Sequence, residues 1–333
     1  MPKESAQFSP SSNAPNQPVS LNTRLKAHLA IARLDHSIKN VFVLPGIGVP
    51  MTLSRVPINW DLFCHILFGL LSVTLISCSN YVLNEILDAP FDQYHPTKRS
   101  RPAAAGLICV PAAYAQWLLM MAAGMGISLL LSWQFTASLA ALWIMGCLYN
   151  IPPIRTKDLP YLDALSESVN NPLRMLQGWY MVTSLLIPPI SLLIAYWMVG
   201  GYFMALKRFS EYRQLKATGL ATAYRKSFRY YSEVSLLVAV IFYASASMMF
   251  FGAFIMRYRV ELILSFPLVA LVMAVYFQLA FQEDSAVQNP EKLYREPLLV
   301  GTLCACLGLM FTLLLVDIPA MHSMFAPTLP TYP

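Results

Sequence analysis

The sequence is short of charge. Of its 333 residues only 12% are Asp, Glu, Lys or Arg, against 57% apolar, and a soluble chain normally carries about twice that charged share. This excludes the soluble two-domain protein that length alone would suggest. Cysteine is sparse as well. Cys64, Cys78, Cys109, Cys147, Cys304 and Cys306 all lie in apolar stretches and none forms a CxxC pair. They read as small packing residues rather than a disulfide framework or a thiolate metal site. No strong internal repeat is present, which counts against a transporter built from two-fold repeats. The first 22 residues lack a basic region leading into an apolar core, so no signal peptide is expected. They are rich in Ser, Pro, Asn and Gln, the composition of a disordered tail.

What the chain has is long apolar runs. They fall near 37–54, 60–87, 108–131, 134–150, 161–182, 186–206, 232–256, 260–281 and 298–316. Most reach the roughly 20 residues a bilayer requires. The expectation is an all-α polytopic membrane protein: a nine-helix domain over 23–318, with tails at 1–22 and 319–333. Arg24 to Arg33 reads as an amphipathic surface helix. With a cytoplasmic N-terminus, all but four of the 23 Lys and Arg fall on the inside. The exceptions are Arg55, Arg257 and Arg259 outside and Arg174 within a helix. The positive-inside rule therefore accounts for the net charge of +6 without nucleic acid as a partner.

The densest chemistry lies between Asn80 and Gly106. Asn80, Asn84, Asp88 and Asp92 recur every fourth residue, which places them along one helix face. An amide and two carboxylates are hard oxygen ligands suited to Mg²⁺. A continuous helix spreads Asn84 and Asp92 by about 12 Å, too far for one ion. Pro90 is therefore expected to end the helix near Asp88 and let Asp92 fold back. His95, Lys98, Arg99 and Arg101 follow in a basic loop able to grip phosphate oxygens. The plainer reading is a juxtamembrane turn with solvated acids.

Three further stretches are informative. Tyr149 ends the fourth apolar run, and Arg155, Lys157 and Asp158 follow it. Asp163, Glu167, Asn170, Asn171, Arg174 and Gln177 then draw a polar stripe along the fifth. Such a stripe lines a cavity or closes an internal ion pair such as Glu167 with Arg174. Lys207, Arg208 and Arg213 follow the sixth run, as phosphate ligands or as simple inside charge, with Glu211 the only carboxylate among them. Lys39 and Asn40 at the membrane edge either face the cavity or anchor the helix. Gln282 to Lys292 reads as helix-end solvation, with a lid over the site as the alternative.

The spacing Asn84-x-x-x-Asp88-x-x-x-Asp92 resembles the first acidic motif of the UbiA superfamily of intramembrane transferases. The continuation His95-Pro96-Thr97-Lys98-Arg99-x-Arg101-Pro102, with Gly106, is most similar to its polyprenyl-phosphate phosphoribosyltransferase branch. The likeness runs from about Arg33 to the last apolar segment. It implies a UbiA-like bundle around a cytoplasm-facing polar cavity in a bacterial-type inner membrane. It implies Mg²⁺ held by Asn84, Asp88 and Asp92. The substrates would be a polyprenyl phosphate or diphosphate and a small co-substrate, most simply phosphoribosyl diphosphate. His95, Lys98, Arg101, Tyr149, Lys157, Asn171, Arg174, Lys207 and Arg208 are the candidate substrate residues. Lys98 and Arg101 would meet the diphosphate or the 5-phosphate, and Lys157, Lys207 and Arg208 the lipid phosphate. No general base is needed, because a lipid phosphate is already anionic; His28, His36, His65 and His322 look incidental. The second aspartate-rich motif of the prenyl-diphosphate enzymes is replaced here by Lys207-Arg208, with Glu211 its only carboxylate. The alternatives are a prenyltransferase moving a polyprenyl group to an aromatic or other acceptor, and a non-catalytic transporter or lipid-binding protein.

Overall fold

The computed structural model describes residues 20–54, 56–94, 98–218, 224–283, 285–288 and 290–326. They are helical almost throughout. Helix α1 covers Leu21–Ile31, and a 3₁₀ stretch over Leu34–Val43 leads into α2 (Leu44–Leu53). Then come α3 (Trp60–Asp92), α4 (Val110–Ser128), α5 (Trp133–Asn150), the short α6 (Leu162–Ser168) and α7 (Asn170–Val182). The second half holds α8 (Ile190–Thr218), α9 (Glu233–Tyr258), α10 (Phe266–Leu279) after a 3₁₀ turn at Val260–Ser265, α11 (Pro297–Leu315) and α12 (Pro319–Met324).

Helix starts follow local chemistry. Asn59 caps α3 by accepting from the Leu62 amide at 2.8 Å, and Ser132 caps α5 through the Phe135 amide at 3.2 Å. Ser232 and Ser235 form a reciprocal capping box at the head of α9. Helices α4, α10 and α11 begin with Pro in the first turn, where its missing N–H costs nothing.

Among the described residues, six helical stretches are long and apolar enough to cross a membrane: Trp60–Asp92, Val110–Ser128, Ile190–Lys216, Glu233–Tyr258, Val260–Leu279 and Pro297–Leu315. Three of the nine expected runs take other forms. The first is a 3₁₀ stretch followed by a ten-residue helix. The fourth is the 18-residue α5. The fifth breaks at Val169 into α6 and α7. Helix α1 begins at Leu21, and Pro319–Met324 forms a short helix after the last long one.

One apolar cluster joins Val43, Ile47, Val73, Ile76, Phe135, Leu139, Leu142 and Met181 of the 3₁₀ stretch, α2, α3, α5 and α7. A second joins Tyr202, Leu206, Phe209, Leu236, Val240 and Val275 of α8, α9 and α10. Between α2 and α7 the backbones touch: Gly46 lies against the Met175 carbonyl and Gly178 against that of Val43. Any side chain at either position would force these helices apart.

Candidate active site

Helix α3 carries the acidic face into the protein, and it does not stop where expected. It runs unbroken through Pro90 to Asp92. Pro90 lies near the helix end, so its ring costs the ladder one bond in the final turns. Meanwhile the carboxylates of those turns are held from both sides. Arg155 Nη2 and Lys157 Nζ donate to Asp88 Oδ1 at 2.9 and 2.5 Å. Arg101 Nη1 donates to Asp92 Oδ2 at 2.6 Å. Asn84 and Asp92 thus stay about two helical turns apart, with Asp88 between them.

The rest of the face is fixed by α5. Asn80 Nδ2 donates to the Leu142 carbonyl at 3.0 Å, and Gly146 leaves room for its side chain, which a Cβ there would overlap. Asn150 is the junction. Its Oδ1 accepts from Asn84 Nδ2 at 2.6 Å and Lys157 Nζ at 2.7 Å, while its Nδ2 donates to the Gly146 carbonyl at 2.8 Å.

A cavity of about 530 Å³ opens beside this face, within the range of small-molecule sites. Asn84 and Asp88 line it with Lys98, Arg101, Tyr149, Arg174, Lys207 and Arg208. Its lining holds eight Lys and Arg against five Asp and Glu, so it favours anions. A recess of about 20 Å³ adjoins it, where Asp88, Asp92, Arg155, Lys157 and Asp158 meet. Asp88, Tyr224 and Arg225 line both. Among the expected site residues, Asp92 and Lys157 therefore belong to the recess. Asn171 turns away: its amide packs on Gly200 of α8, and Asn170 lines the cavity instead. His95 lies outside the described residues.

The cations divide into engaged and available ones. Arg208, 2% exposed, donates to Asp163 Oδ2 at 3.1 Å, Glu211 Oε2 at 2.8 Å and the Tyr149 hydroxyl at 3.1 Å. Asp163 is fully buried and also accepts from Ser227 and Tyr231, at 3.1 and 2.5 Å. It is an anchor for Arg208, not a cavity-facing carboxylate. Lys98 lies 3.2 Å from Glu211 Oε1 and also meets the Tyr224 hydroxyl. Burial opposes its charge, but Glu211 and Tyr224 hold its pKa above the ordinary value. Lys157 goes the other way: burial outweighs Asp88 and pushes it down to about 8.

Lys207 and Arg174 are different. Lys207 makes no hydrogen bond among the described residues, and Arg174 makes one long contact, 3.4 Å to Ser77 Oγ. Arg174 is nevertheless 6% exposed, and its Nε has no partner. Asn80 Oδ1 and Asn170 Oδ1 are likewise buried and unsatisfied. No ion pair joins Glu167 to Arg174 among the described residues; both line the cavity. Unpaired buried polar groups are costly, and here they ring the same space.

Sequence reasoning passed over Asn150, Arg155, Tyr224 and Arg225. Arg155 carried no pattern, yet it sits at φ 31°, a left-handed conformation costing about 1–3 kcal/mol in a non-glycine residue. Its guanidinium on Asp88 and its 3.2 Å pair with Asp158 hold that turn. Arg225 was counted as loop charge. It reaches the Lys157 carbonyl at 3.2 Å.

The acidic face suits Mg²⁺. Asn84 and Asp88 present oxygens to the cavity, and Asp88 Oδ2 and Asp92 Oδ1 have no hydrogen-bond partner among the described residues. These are hard donors left open beside Lys and Arg side chains of the kind that can hold phosphate.

Comparison with known proteins agrees with this architecture. The profile described as the UbiA prenyltransferase family matches residues 42–299. The chain is 28% identical over 229 residues to a decaprenyl-phosphate phosphoribosyltransferase of Mycolicibacterium smegmatis, covering 65% of each chain. It is 30% identical over 154 residues to the uncharacterized protein y4nM of Sinorhizobium fredii, covering 46% of this chain and 28% of that one. It thus spans less than two thirds of the length of either relative. A UbiA homolog from Archaeoglobus fulgidus bound to DMAPP and Mg²⁺ superposes with a TM-score of 0.63 at 17% identity, over 86% of this chain and 99% of that one.

Proposed function

This chain belongs to the UbiA prenyltransferase family and is a membrane transferase, and from that premise we propose that it moves the 5-phosphoribosyl group of phosphoribosyl diphosphate onto a polyprenyl phosphate. The observation that carries the reading is the polar depth of the cavity. Arg174, Asn80 and Asn170 line it, and each carries a buried side-chain atom with no hydrogen-bond partner. An isoprenoid chain in that space would strand each of them, at about 1–3 kcal/mol per group. A ribose phosphate supplies the missing partners. The relatives named as decaprenyl-phosphate phosphoribosyltransferases support the same reading.

In this mechanism an oxygen of the lipid phosphate attacks C1 of the ribose, the C1–O bond to the diphosphate breaks, and pyrophosphate leaves. No proton has to be removed from the nucleophile. Asp88, with Asn84 on the cavity side or Asp92 on the recess side, would hold Mg²⁺, since the unbroken helix keeps Asn84 and Asp92 too far apart to share one ion; the ion would neutralise charge on the departing diphosphate. Lys98 and Arg101 face the same group from the neighbouring loop. Lys207 and Lys157 would take the lipid phosphate, and Arg174 would meet the sugar phosphate in the depth. Arg208 acts indirectly here, keeping Tyr149 and Glu211 in place.

The same proposal includes nine membrane crossings, with the 3₁₀–α2, α5 and α6–α7 segments completing the six long spans. The basic loops and the mouth of the cavity face the cytoplasm, where soluble phosphoribosyl diphosphate is found, in a bacterial-type inner membrane. The polyprenyl lipid enters from the bilayer.

The test uses purified protein, Mg²⁺, a polyprenyl phosphate and phosphoribosyl diphosphate labelled in the ribose. Label should pass into the organic phase with wild-type protein and not with Asp88→Asn. Absent transfer, in protein that binds a polyprenyl diphosphate in a Mg²⁺-dependent way, would replace this reading with that of a prenyltransferase.

A further inference from the structure

A second ionisable cluster lies far from the cavity. Helix α9 begins just beyond the Arg225 loop and runs 26 residues to Tyr258, about 39 Å at 1.5 Å per residue. Glu261 follows at its far end, so it belongs to the opposite end of the bundle. There Asp317, after the last turn of α11, and His322 of α12 close on it. Their ligand atoms lie within 4.8 Å of one another, the one such His, Cys, Asp or Glu trio among the described residues.

Two independent features ask for a cation. First, a single ring nitrogen serves two carboxylates. His322 Nε2 lies 3.0 Å from Glu261 Oε1 and 3.0 Å from Asp317 Oδ1. One N–H has one axis and cannot donate well to both, whereas a lone pair and two carboxylate oxygens can converge on one ion. Second, Glu261 is fully buried and its Oε2 has no hydrogen-bond partner. Arg259 Nε approaches to 3.5 Å, but its donors go to the carbonyls of Leu313 at 3.3 Å and Val316 at 2.9 Å. The Ile318 amide, 3.3 Å away, serves only Oε1. Among the described residues Arg259 is the sole fixed cation beside two carboxylates, so the cluster is short of positive charge.

We propose that Glu261, Asp317 and His322 form a transition-metal site of the kind that takes Zn²⁺. The donor set decides the ion: an imidazole nitrogen with two carboxylates suits Zn²⁺ and its neighbours, whereas Mg²⁺ prefers oxygen alone. Glu261 supplies the buried anchor. Asp317 and His322, 64% and 56% exposed at the side chain, leave a face open for water as a further ligand. The ion ties the turn after α9 to the adjoining ends of α11 and α12, which lie far from it in sequence. It fastens the C-terminal helix to the bundle and is separate from the Mg²⁺ ligands of α3.

The experiment is a ZnCl₂ titration of tag-free, EDTA-stripped protein in detergent, read by calorimetry and by Tm. Wild-type and Asp88→Asn proteins should each bind one Zn²⁺ per chain at this site and gain Tm with it. His322→Ala should bind roughly 100-fold more weakly or not at all and show no zinc-dependent gain. Both His322 and Asp317 are more than half exposed, so Asp317→Asn, with gel filtration and zinc-free Tm as fold controls, serves as the second variant. No stoichiometric zinc on the wild type, or unchanged binding in both variants, would overturn the site and leave an ion-paired clasp.

Discussion

Arg174 and Arg208 offer a sharp contrast, because they are equally buried and differently engaged. Consider Arg174→Met, which keeps an unbranched side chain and removes the charge. Arg174 has one long hydrogen bond at 3.4 Å and an unpaired Nε, so little protein structure depends on it. Replacing a buried, under-paired cation by an apolar side chain is commonly neutral or stabilising. The Tm of the variant should therefore equal or exceed that of the wild type. Its activity should not. A charge-assisted hydrogen bond to a sugar phosphate is worth about 1.5–3 kcal/mol, and 1.36 kcal/mol is a factor of ten. The expected loss in kcat/KM for phosphoribosyl diphosphate is therefore about 10- to 150-fold, mostly in KM because the contact exists before and during the transfer. Arg208→Met should behave in the opposite sense. It abandons Asp163 and Glu211, both about 99–100% buried, at a cost of about 3–5 kcal/mol of stability. The assays are label transfer across a donor titration and thermal unfolding in the same detergent. Wild-type kcat/KM in Arg174→Met, or a fall in its Tm matching that of Arg208→Met, would refute the assignment of Arg174 to substrate.

Other outcomes follow from the same geometry. Lys157, with its pKa near 8, is a cation below that pH and neutral above it. If it holds the lipid phosphate, kcat/KM for the polyprenyl phosphate falls as pH rises through about 8, and Lys157→Arg moves that limb to higher pH; a flat profile to pH 10 would remove Lys157 from binding. Asp163→Asn weakens the anchor of Arg208, Ser227 and Tyr231 and should lower stability by roughly 3–5 kcal/mol, seen as an earlier unfolding transition with or without Mg²⁺. Gly46→Ala sets a methyl group against the Met175 backbone, which cannot rotate aside, and should cost about 1–3 kcal/mol, again read by thermal unfolding. Asp88→Asn should lower kcat by at least about 100-fold and should also lower Tm, because it takes the carboxylate partner from the buried Arg155 and Lys157.

The sequence and the structure part company at identifiable places. The i, i+4 rhythm of Asn84, Asp88 and Asp92 did give a single polar helix face, because helical periodicity is local. Pro90 misled, because the penalty of a proline is also local and here met ion pairs from Arg101, Arg155 and Lys157 that are remote or lie in flanking loops. The polar stripe of the fifth run was legible as a stripe, but not its break at Val169, which turns Asn170 into the cavity and Asn171 onto Gly200. His322 looked incidental because its partners are supplied by two other segments, 61 and 5 residues away.

By itself, then, the sequence determined that the chain is an all-helical membrane protein. It also determined that a carboxylate-and-amide face lies next to a basic loop, since composition, run length and helical period act within one segment. Only the tertiary structure decided which cations are free. Arg174 and Arg208 are both arginines in polar stretches of the sequence, and Glu211 one turn on from Arg208 is the only local difference between them. The deciding partner, Asp163, reaches Arg208 from another helix, and no carboxylate pairs with Arg174 among the described residues. Pairing is a property of the packed bundle, and pairing separates a residue that holds the protein together from one that is left for a ligand.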